Sequence, residues 1–120
     1  MRVITTCLLL SIALLCSRSY ARESKSFAVR SYVKDISGVT IHTQQGNIRI
    51  DVCSDRIFHV IASSGPDIPK QKIDTVIHTW KPVNFSVQED ASHLEVETAL
   101  IKVNVNRMTG AIGFFTAQGL

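Results

Sequence analysis

The sequence predicts an all-β protein, an antiparallel β-sandwich that reads as incomplete, preceded by a signal peptide. Three observations carry this. Apolar residues recur with a period of two along most of the chain from Val39 onward. Polar or glycine-bearing turns separate these short runs. Beyond the first twenty-one residues no stretch makes a convincing helix. Strands that each have one apolar face must bury it against a second layer, and the solution for repeated antiparallel strands is a sandwich or an open piece of one.

The chain opens with Arg2, an apolar run over residues 3–16, and Ser19-Tyr20-Ala21, which offers small residues at the two positions a signal peptidase reads. Cleavage is expected after Ala21, with a secreted or periplasmic destination. The run falls short of the roughly 20 apolar residues that a bilayer-spanning helix needs, and Arg18 stops it from extending, so no membrane association is expected after cleavage. Residues 22–37 are a polar lead-in with one short strand around Phe27 to Val33, and residues 38–120 form the sandwich domain.

Within that domain, residues 39–43 and 48–52 alternate on either side of a turn at 44–47, which predicts a hairpin whose apolar face is Val39, Ile41, Ile48, Ile50 and Val52. Residues 56–62 are apolar on both faces, which predicts a central strand covered on both sides. Gly65, Pro66 and Pro69 mark a long loop. Residues 73–80 are a weaker strand candidate, residues 83–87 a better one, and residues 93–98 alternate through Leu94 and Val96. Ile101, Val103 and Val105 share one face while Lys102, Asn104 and Asn106 share the other. Residues 107–110 turn the chain, with Gly110 suited to a positive φ, and residues 111–116 return as a strand.

Composition excludes several function classes. Removing residues 1–21 takes away Arg2 and Arg18 and no acidic residue, so the formal charge of +3 falls to about +1. The remaining basic residues are interspersed with carboxylates and lack interleaved aromatics, so nucleic acid is not an expected partner. Cys7 and Cys16 leave with the signal, and Cys53 alone cannot form an intramolecular disulfide.

The same strands carry a family resemblance. Residues 47–61 (NIRIDVCSDRIFHVI), 81–86 (KPVNFS) and 94–119 (LEVETALIKVNVNRMTGAIGFFTAQG) resemble the N-terminal, galactose-mutarotase-like β-sandwich domain of glycoside hydrolase family 31, which includes α-glucosidases and α-xylosidases. The landmarks are Asp55, Val60, Thr98, Thr109-Gly110 and Gly119, with His59 where the family pattern usually has arginine. The resemblance implies a non-catalytic accessory domain of a secreted enzyme that hydrolyses O-glycosidic bonds. Its partner would be a catalytic (β/α)8 barrel of the same polypeptide, which carries the nucleophilic and acid/base aspartates; none of that barrel lies in this sequence, so the chain alone is expected to be inactive. The other reading is an independent secreted sandwich that binds carbohydrate or another protein.

The residues offer few candidates for chemistry, and no catalytic, cofactor-binding or metal-binding residue is assigned. A retaining glycosidase needs two carboxyl groups roughly 5 to 5.5 Å apart. Asp51 with Asp55, Glu89 with Asp90, and Glu95 with Glu97 are the available pairs, and all read more simply as turn or solvent-facing residues. His42, His59, His78 and His93 are scattered without a ligand spacing. Cys53 reads as a small buried hydrophobe. Trp80 is the weak candidate for stacking on a sugar ring, set against the reading of a packed loop anchor. Asn84-Phe85-Ser86 matches a glycosylation acceptor for a eukaryotic secretory pathway. Ala111, Ile112, Phe114 and Phe115 would leave an apolar strand at a sheet edge, which predicts poor solubility of the isolated chain.

Overall fold

A computed structural model describes residues 27–69 and 79–119, and among these the protein is all-β, without a helix. The strands are β1 (Val29–Lys34), β2 (Gly38–Thr43), β3 (Gly46–Ser54), β4 (Ile57–Ser63), β5 (Ser86–Glu89), β6 (His93–Glu97), β7 (Ile101–Asn106) and β8 (Ile112–Thr116). They form two four-stranded antiparallel sheets in simple meander order, β1-β2-β3-β4 and β5-β6-β7-β8. The expected signal peptide at 1–21, the start of the lead-in and most of the candidate strand at 73–80 lie outside the described residues.

The period of two explains the core. On β2 and β3 every second residue turns inward, and these are Val39, Ile41, Ile48, Ile50 and Val52, all buried as the hairpin pattern predicts. From the second sheet Leu94 and Val96 on β6 and Val103 and Val105 on β7 join the same cluster. The two middle strands of each sheet thus supply every buried apolar side chain among the described residues. Each such side chain contributes about 1.5–3 kcal/mol on burial. The outer strands add half-buried groups around the rim, including Tyr32, Phe58, Val87 and Ile112.

Polar contacts join the sheets at their margins. The Val29 N–H donates to the Arg107 carbonyl at 2.7 Å. Thr98 Oγ1 donates to the Asp55 carbonyl at 2.8 Å, and Lys34 Nζ to the Phe85 carbonyl at 2.9 Å. Gly110 takes the positive φ expected of it, 72°, and a Cβ there would fall 2.6 Å from Phe27 Cβ. Only glycine therefore lets the β7–β8 turn approach the segment that leads into β1.

Three expectations need correction. The run at 56–62 is not a central strand covered on both sides: β4 is an edge strand among the described residues, none of its residues is buried, and Ile57 is 45% exposed. Apolar residues on both faces do not demand two covering layers, because exposed aliphatics are common. The strand expected at 83–87 begins instead at Ser86. Val83 and Phe85 still pack against the core, but they precede the ladder. Finally, the β2–β3 turn is shorter than residues 44–47, since Thr43 pairs with Gly46 and His42 with Asn47.

Candidate functional site

The tight β2–β3 turn builds one end of an open concavity at the edge of the first sheet. Gln44 and Gln45 form the bend with negative φ, and Gly46 takes the positive φ of 130°. Thr43 Oγ1 bridges the turn, donating to the Gly46 carbonyl and accepting from the Gln45 N–H. The Gln44 N–H donates to the Ala28 carbonyl, which holds the turn against the segment entering β1.

Asn47 fixes the opposite wall. Its Nδ2 donates to the carbonyls of Gly65 at 3.2 Å and Pro66 at 2.6 Å, which ties the loop after β4 to the sheet. Two carbonyl neighbours can only accept, so the amide orientation is determined and Oδ1 must be the acceptor that meets His42 Nδ1 at 2.6 Å. The imidazole therefore carries a proton on Nδ1.

Between these walls lies an open groove of about 700 Å³, with Arg30, His42, Gln44, Gln45 and Asn47 among its lining residues. The lining contains amides, hydroxyls, one imidazole and one guanidinium, with no carboxylate and no aromatic ring other than the imidazole. Such a surface can exchange hydrogen bonds with a hydroxylated or anionic ligand. It cannot perform double-displacement hydrolysis, for which two carboxyl groups are required.

The carboxylates singled out in the sequence are engaged elsewhere. Asp51 receives Arg49 Nε at 2.6 Å, and His59 Nδ1 stands 3.6 Å from its other oxygen. Arg49 also reaches Asp35 in the β1–β2 turn, and this guanidinium, together with the Ser37 N–H and hydroxyl, holds the Asp35 carboxyl well below the usual carboxylate range. Asp55 lies in the turn before β4, far from forming a pair with Asp51 across the ladder, where Asp51 faces His59. Glu95 and Glu97 flank Lys102 Nζ at 2.9 and 4.0 Å, and Glu95 pushes the ammonium pKa up. Glu89 ends β5, while Asp90 Oδ1 accepts the N–H groups of Ser92 and His93, which lowers its pKa and shapes the β5–β6 turn.

The remaining candidates are also separate. Burial pushes the half-buried Cys53 thiol up, with the Asp51 charge adding to the effect, so this is a poor nucleophile. No group of three or more potential metal ligands forms among the described residues, and His78 lies outside them. Trp80 is 38% exposed but does not line the groove. Asn84 is exposed in the segment that leads into β5.

Reasoning from the sequence does not find the groove residues. Placing the turn at 44–47 hides the pairing of His42 with Asn47, and the contact of Asn47 with a loop eighteen residues away has no local signature. No family model matches the chain, and no curated protein matches it.

Proposed function

We propose that this chain is the N-terminal, non-catalytic β-sandwich of a secreted α-glycoside hydrolase of family 31, whose role is to pack against the catalytic barrel of the same polypeptide and frame the approach of substrate. The observation that supports this reading is the meeting of two landmarks of the resemblance. Asp55 and Thr98 are 43 residues apart, yet buried Thr98 donates its hydroxyl to the Asp55 carbonyl and so joins the two sheets. The contact uses the Thr98 hydroxyl and the backbone of residue 55, so it gives a reason for a family pattern to retain the threonine. Sequencing the genomic DNA beyond the Leu120 codon in all three frames tests the proposal. A continuation that encodes a barrel with paired aspartates is expected; a stop followed by unrelated sequence would defeat it.

One observation favours a second reading, an independent carbohydrate-binding sandwich: the polar groove around His42 and Asn47. Titration of the labelled protein with mono- and oligosaccharides, monitored by amide chemical shifts, distinguishes the two. Shifts confined to residues 42–47 and 64–66 favour the binding module, and their absence removes its support.

A further inference from the structure

Among the described residues β1, β4, β5 and β8 lie at sheet edges, and they are not equally protected. β1 carries Arg30 and Lys34 and a register irregularity between Val29 and Ser31. β4 follows Arg56 and carries the polar His59 at its middle, within 3.6 Å of the Asp51 carboxylate. β5 is four residues long, ends on Glu89 and is followed by Asp90. Charges, bulges and brevity are the usual means of discouraging strand addition. β8 has none of the first two, and residues 108–120 carry no charged side chain. Phe114 and Phe115 on it are 56% and 43% exposed.

The backbone of β8 specifies what it could accept. Asn106 N–H donates to the Ala111 carbonyl and Ala117 N–H to the Leu100 carbonyl. With the register Asn104↔Gly113 and Lys102↔Phe115, those bonds set the alternation: Gly113 and Phe115 direct their polar groups at β7. Ile112 and Phe114 direct theirs away from the sheet.

We propose that β8 pairs antiparallel with β8 of a second copy of this chain, about a two-fold axis at Gly113. In this register Ile112 lies opposite the partner's Phe114 and Phe114 opposite the partner's Ile112, exchanging four backbone hydrogen bonds. Each is an aromatic and β-branched cross-strand pair on the inner face. Gly113 opposes its own counterpart at the close spacing of a non-hydrogen-bonded pair, where a side chain would crowd the axis, and the Phe115 ring already lies over Gly113 on the outer face. An isologous contact requires a surface complementary to itself. An uncharged strand meets that condition, whereas β1 would oppose like charges. The result is a closed pair of sandwiches sharing an eight-stranded sheet, and it requires that no further strand of the same polypeptide covers β8.

Sedimentation velocity on the chain as its host processes it, across a wide concentration range, tests this. A monomer–dimer equilibrium is expected, with the amides of Ile112 and Phe114 protected from hydrogen exchange in the dimer. Phe114→Pro removes a donor that points away from β7, a placement proline tolerates on an edge, and should weaken dimerisation about tenfold or more through the loss of two backbone hydrogen bonds. If that variant does not fold, Phe114→Lys decides, since a charge on the edge should likewise favour the monomer. A wild-type monomer at every concentration, a dimer that survives the substitutions, or open-ended assembly in place of a closed dimer would each overturn the proposal, the last two pointing to another surface or an unclosed contact.

Discussion

Among the described residues Arg49 on the first sheet and Lys102 on the second each lie between two carboxylates, and the two anchors do different things. On the first sheet Arg49 reaches Asp51 on its own strand and Asp35 in the turn between β1 and β2, and its planar fork also meets Thr40 Oγ1 and Ser37 Oγ. On the second sheet Lys102 meets Glu95 and Glu97, both on the strand already paired with its own. The guanidinium thus ties a turn to a strand, while the ammonium decorates a ladder that backbone hydrogen bonds already hold. A fork with five fixed donors can join segments in a way a point charge cannot.

The largest test asks whether the sheets are one cooperative unit despite this difference. Ile50→Ala in the first sheet and Leu94→Ala in the second each empty a fully buried position of the common core. Each should cost about 2–5 kcal/mol, with a single urea transition seen alike by far-ultraviolet circular dichroism and by Trp80 fluorescence. A Leu94→Ala protein that melts in two steps would make the sheets separate units.

Next in size is a contrast of glycines. A Cβ at Gly38 would stand 2.1 Å from the Ile50 carbonyl oxygen, in the backbone of the neighbouring strand, whereas one at Gly113 meets only the Phe115 ring. Backbone cannot step aside, and a ring on an edge strand can. Gly38→Ala should therefore cost about 1–3 kcal/mol, the usual penalty of overpacking, and Gly113→Ala clearly less in the same denaturation experiment. Equal losses would mean that Phe115 is as fixed as the first sheet's ladder.

The link between the sheets comes third. Thr98→Val keeps the shape of a buried side chain and removes the hydroxyl that donates to the Asp55 carbonyl. The same oxygen accepts from the Ile101 N–H at 3.1 Å, so the loss expected is about 1–2 kcal/mol, and hydrogen exchange should quicken at the turn of residues 55–56 as well as around Thr98. An effect confined to the second sheet would remove this contact as a link.

These contrasts also show what is legible in the residues. The buried faces of β2, β3, β6 and β7 come from alternation alone, because in a central antiparallel strand one face meets the core and one does not. Alternation fails where burial and pairing part company. Val83 and Phe85 are packed against the core without being in a strand, so the pattern places β5 three residues early. At β4 the apolar outer residues Ile57 and Ile61 imitate a covered strand, although position in the sheet is decided by pairing partners, which composition does not encode. The groove depends on a turn two residues shorter than the polar stretch that contains it, and on the long-range contact of Asn47 with residues 65–66.

The smallest predicted effect separates the two anchors by pH. The Asp35 carboxylate accepts from Arg49, from the Ser37 N–H and from the Gly38 N–H, and its folded pKa lies well below the ordinary 3.8. A depressed carboxylate contributes stability that is fully present above its unfolded pKa and is lost as pH falls through its folded pKa. Asp35→Asn retains an acceptor for the turn N–H groups and deletes only the charge. Because Asp35 is half exposed, solvent screening limits the loss at neutral pH to about 0.5–1 kcal/mol. The difference between wild type and Asp35→Asn should shrink as pH is lowered below the ordinary carboxylate range, measured by urea titration at each pH. Lys102→Met on the other sheet should leave the urea midpoint within error of wild type at neutral pH, since its partners remain solvated and its strand remains paired. A Lys102 substitution as costly as Asp35→Asn would mean that the charge itself, rather than the segments it joins, sets the value of an anchor in this sandwich.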